Sequence, residues 1–92
     1  MARIDRHADL EEAAAEELER AVSLGWRELS KCTPWGDTYE GFTPAGRSAC
    51  FERNYLWRDA PGGDILVEVV VYQPEQYEKG VRLQRLTPKV GG

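Results

Sequence analysis

Few residues in this chain have the types and spacing that chemistry requires. Glu68 is the one acid inside the apolar run Ile65–Tyr72. A carboxylate in such a run can act as general acid or base when burial raises its pKa. The commoner role is an outer-face partner of a cross-strand arginine, with Arg53, Arg82 and Arg85 as candidates. Cys32 and Cys50 are the only cysteines, in no CxxC spacing, and His7 is the only histidine. Zinc takes about four N/S ligands, so no metal site is expected. Free thiols are expected as well, since neither cysteine neighbours a histidine in sequence. No GxSxG, P-loop, HExxH or EF-hand pattern is present. Gly62-Gly63 lacks the following helix that would make a phosphate cradle. No catalytic residue and no cofactor is therefore expected.

The elements that would position any site are easier to read. Residues 9–24 have a helical stripe of Leu10, Ala14, Leu18, Ala21 and Val22, with Asp9, Glu12, Glu16 and Glu19 opposite it. Asp9 and Glu12 have capping-box spacing, Asp5 is a competing start, and Gly25 suits a helix stop. Trp26 to Leu29 reads either as a last helical turn or as a short edge strand. Strands are expected over 38–43, 48–58, 65–72 and 81–86, separated by turn chemistry such as Thr43-Pro44-Ala45-Gly46. Short links favour antiparallel neighbours. The expected fold class is α+β, one N-terminal helix packed on a three- to four-stranded antiparallel meander sheet. At 92 residues the chain is expected to form a single domain, with 1–8 and 88–92 frayed.

Strand alternation divides the faces. Ile65, Val67, Val69 and Val71 form the natural helix-facing set, matched by Phe51, Tyr55 and Trp57 and by Val81 and Leu83. The other face carries Leu66, Val70 and Tyr72 with Glu68, and Leu56, Cys50 and Leu86 are candidates to join them. With one helix available, this face is either a contact surface or is covered by residues 26–37 or the C-terminal tail. Phe51, Tyr55 and Trp57 lack interleaved lysine and arginine, so they read as core rather than as an RNA-stacking platform.

Charge narrows the partners. The net charge is −4. Residues 1–20 hold seven acids and three bases, while the rest is balanced. Such a chain does not attract phosphates, so direct nucleic-acid binding and anionic-membrane binding are not expected. No apolar run has membrane-span length and no signal peptide is readable, which points to a cytoplasmic protein. Trp35 and Tyr39 lie in a glycine-flanked aromatic stretch of the kind that anchors interfaces, or that staples a loop to the core.

One short domain, a one-sided acidic helix (Glu12, Glu16, Glu19), an antiparallel sheet and no catalytic constellation together resemble the small inhibitors of phages and mobile elements, such as anti-CRISPR proteins. That resemblance implies blockade of a larger nucleic-acid-handling complex by a non-enzymatic protein. The candidate partner-binding residues are Glu12, Glu16, Glu19, Trp35, Tyr39, Leu66, Val70 and Tyr72, facing a partner with a basic surface. Alternatives are a homodimeric accessory protein using the outer sheet face, and a carrier resembling ubiquitin-like proteins at Gly91-Gly92.

Overall fold

The computed structural model describes residues 6–89. Two helices, α1 (Arg6–Val22) and α2 (Gly25–Cys32), precede four strands: β1 (Gly36–Phe42), β2 (Ser48–Trp57), β3 (Ile65–Tyr72) and β4 (Val81–Thr87). The strands form one antiparallel meander in the order β1-β2-β3-β4. A single 3-10 turn, Tyr77–Lys79, sits before β4. The α+β class and the meander agree with the sequence reading. The tail Gly91-Gly92 lies outside the described residues, as does the competing helix start at Asp5.

The helical region differs from expectation in two ways. First, α1 already includes Arg6, the first described residue, so Asp9 lies within the helix and is no cap, and residues 6–8 belong to it. Second, Trp26 to Leu29 is neither an edge strand nor the end of α1. Gly25 adopts a φ of +81°, which only glycine takes cheaply, and the chain turns there into a separate helix.

Helix α1 crosses β3 and β4. Its Leu10, Ala14, Leu18 and Ala21 meet Phe51, Tyr55, Ile65, Val67, Val69 and Val71 in one core. Leu29 of α2 is fully buried in that same core, and Trp26 packs on it while donating from Nε1 to the Gly63 carbonyl at 2.8 Å. Both helices therefore lie on one side of the sheet, and α2 does not cover the outer face. At the far end of α1, the buried Asp9 carboxylate accepts from the Thr43 hydroxyl at 2.6 Å and from the Ala45 amide at 3.1 Å. Asp9 thus ties the β1–β2 turn to the helix. Its expected place on the solvent face is corrected, because a side chain flanking the stripe can bend inward to orphan turn donors.

Candidate functional site

Burial along α1 puts Glu12, Glu16 and Glu19 outward as expected, together with Glu11. Arg85 of β4 reaches Glu19 at 2.6 Å, and His7 lies 2.9 Å from Glu11. Glu12 and Glu16 have no ion-pair partner among the described residues. The outer face of α1 is thus a negative ridge only partly neutralised from the sheet.

Glu17 breaks the pattern, and the sequence reading missed it. Its side chain is 3% exposed. It accepts from both Nε, at 3.2 Å, and Nη2 of Arg20. Arg53 Nη1 reaches it from β2 at 3.4 Å. The same Arg53 grips Asp37 of β1 through Nε, at 2.8 Å, and through Nη2. Its guanidinium also lies 5.1 Å from the Tyr39 ring centre, and that ring stacks on Phe51 at 5.0 Å. Arg53 shares the helix-facing parity of Phe51 and Tyr55, so it is no partner of Glu68, and neither is Arg85. Glu68 instead accepts from Gln84 at 2.8 Å and Asn54 at 3.2 Å, with Arg82 at 3.8 Å. The signal for the clamp was present: an arginine alternating with core aromatics needs a carboxylate, and Glu17 follows Ala14 by three and precedes Ala21 by four.

The hydrogen bonds from Arg53 hold the Asp37 carboxyl below the usual carboxylate range. Burial pushes the Tyr39 and Tyr55 hydroxyls up, so both stay protonated at neutral pH. Tyr39 is half-buried against the helix side, which removes it from the set of free aromatic anchors. Trp35 takes the opposite course. Its side chain is not stapled to the core; the residue is 71% exposed.

Trp35, Cys32, Gly36, Asp37 and Tyr55 line an open cleft of about 260 Å³ between the end of α2 and the start of β1. Strand pairing fixes its shape. The Tyr55 amide donates to the Trp35 carbonyl at 2.9 Å, and any side chain at Gly36 would run into the Arg53 carbonyl and Asn54. A larger hollow of about 490 Å³, between the start of α1 and the connection before β4, is lined mostly by polar groups such as Gln73, Gln76, Glu78 and Lys79.

The outer sheet face is left uncovered by both helices and by the described part of the tail. Lys89 lies on the other side, over the Trp26 ring. Register aligns Leu56, Leu66 and Leu86 as one apolar row, 42% exposed at Leu56. Beside it runs the hydrogen-bonded polar row Asn54, Glu68 and Gln84. Val70 is 4% exposed despite lying on this face, in register between Glu52 and Arg82. Tyr72 donates to Glu52 at 3.3 Å and meets Tyr77 edge-on. Of the expected outer-face contacts, Leu66 and Tyr72 are therefore half-buried and Val70 is buried.

Among the described residues no cluster of three or more His, Cys, Asp or Glu is placed to hold a metal ion. No helix among them is long and apolar enough to cross a membrane. Comparison with protein-family models, with curated proteins and with solved structures returned no match.

Proposed function

We propose that this chain is a non-enzymatic binding protein that engages a larger partner through a basic surface on that partner. The observation that carries this reading is the outward ridge of α1, where, among the described residues, Glu12 and Glu16 form no ion pair and Glu19 pairs only with Arg85. Like-signed carboxylates held at a helical spacing create a potential that steers a complementary surface. Trp35, a large aromatic left in water on the helix side of the sheet, supplies a second contact of the type that dominates interface energies. An inhibitor of a nucleic-acid-handling complex fits this chemistry, with helix carboxylates occupying cationic sites that otherwise hold phosphates. The test is charge reversal at Glu12, Glu16 and Glu19 to lysine. Partner capture should fall and lose its salt dependence, and unchanged capture would end this reading.

A second reading has one specific observation behind it. The row of exposed Leu56 and half-buried Leu66 and Leu86 can pair with its copy in a homodimer. Light scattering at micromolar concentration separates the two, because only the second predicts twice the monomer mass in the absence of any partner.

A further inference from the structure

We propose that the cleft between α2 and β1 receives an arginine side chain of the protein partner. This rests on the reading of a basic partner and names where one of its side chains goes. The cleft is smaller than the roughly 300–1,000 Å³ usual for small-molecule pockets, and its size suits a single side chain.

The unusual group inside it is Tyr55. The residue is only 8% exposed, yet its hydroxyl has no hydrogen-bond partner among the described residues. It is also not among fully occluded unsatisfied atoms, so its oxygen opens onto the cleft it lines. A side chain entering the cleft displaces solvent from this oxygen, so it must return a hydrogen bond to the Tyr55 hydroxyl or leave it unpaired at a cost. The rim carries the Asp37 carboxylate, whose side chain is 52% exposed. Arg53 uses two of its hydrogen-bonding positions, and a carboxylate has about four. The other wall is the Trp35 indole.

A planar cation with several donors matches all three walls. A guanidinium can stack on Trp35, donate to the free lone pairs of Asp37 and donate to the Tyr55 oxygen. The Tyr55 proton then remains for a main-chain carbonyl of the partner at the cleft mouth. An anion meets the Asp37 charge, and an aliphatic side chain leaves Tyr55 unpaired. The Arg53 guanidinium does not reverse this preference, because it is already shared between Asp37 and Glu17.

The test is a two-dimensional NMR titration of the full chain with acetyl-Gly-Arg-Gly-amide. Parallel titrations use the same peptide with citrulline or leucine in place of arginine. The arginine peptide should shift the Trp35 indole and the Gly36 and Tyr55 amides. Citrulline keeps the shape and loses the charge, and should bind at least about threefold more weakly. Trp35→Ala should weaken the arginine peptide by about threefold or more, and Tyr55→Phe, which removes one oxygen only, should also weaken it. Three results would overturn the proposal: no shift at these positions at tens of millimolar peptide, equal binding of the arginine and citrulline peptides, or shifts confined to residues 12–19. The last puts the peptide on the helix acids. Failure of the titration removes the cleft and leaves capture by α1 to be judged by its own assay.

Discussion

Neutralising Glu17 should destabilise the fold far more than neutralising any of the outward acids of α1. Glu17→Gln keeps the shape but turns one acceptor oxygen into a donor amide facing either Arg20 or Arg53. Breaking a buried pair by removing one partner costs about 3–5 kcal/mol. Here the Arg20 side chain is 65% exposed and can turn to water, while Arg53 keeps Asp37. The expected loss is therefore lower, about 2–3 kcal/mol. At this chain length that corresponds to a Tm drop of roughly 8–24 °C. Urea unfolding followed by circular dichroism gives the number directly. A double-mutant cycle with Arg53→Met isolates the pair and should return a coupling of about 1 kcal/mol or more. Glu16→Gln, one residue away and exposed, should stay within about 0.5 kcal/mol of the parent. If Glu17→Gln is as mild as Glu16→Gln, the clamp does not hold helix to sheet, and the placement of Asp37 at the cleft loses its support.

The other predictions concern the separation of fold from surface. Leu29→Ala should cost about 2–5 kcal/mol, since that side chain is the fully buried one of α2; a change below about 1 kcal/mol would contradict this. Gly25→Ala should cost about 1–2 kcal/mol through its positive φ, with open space around the added carbon, and a neutral result in denaturant unfolding would mean the turn has another conformation. Trp35→Ala should leave stability within about 0.5 kcal/mol, and a large loss in the same assay would show that the indole is structural. Asp37 gives a pH signature. Its folded pKa is depressed by Arg53, so its contribution is complete above the unfolded value near 3.9 and disappears as pH falls through the lower folded value. Asp37→Asn should flatten the stability curve in that acidic window by less than about 1 kcal/mol, because the side chain is half exposed, and an unaltered curve would refute the pairing.

The strands were legible because their signals are local. Ile65–Tyr72 carries four valines and no breaker, and its alternation with Phe51 and Tyr55 fixes which face meets the helices. The acidic ridge was legible for the same reason, since helical periodicity alone sets Glu12, Glu16 and Glu19 outward. What escaped depends on contacts between residues far apart in sequence. Glu17 looks like one more acid in a run until Arg53 is placed above it, 36 residues away. Asp9 looks like a cap until the β1–β2 turn arrives beneath it. The cleft is a further step removed: α2 had to be a separate helix before Cys32, Trp35 and Tyr55 could share a wall. Trp35 and Tyr39 were read as one aromatic stretch, and Tyr39 turns to the helix side whereas Trp35 remains in solvent.

The central claim is that the carboxylate ridge of α1 grips a basic partner, and one comparison tests it most directly. Wild-type chain and the variant Glu12→Lys, Glu16→Lys, Glu19→Lys are immobilised side by side and exposed to the same host extract over a graded salt series. The account predicts that a defined basic-surfaced species binds the wild type at low salt, is released as salt rises, and is missing from the variant throughout. Retention of that same species by the variant, at the same salt, would contradict it.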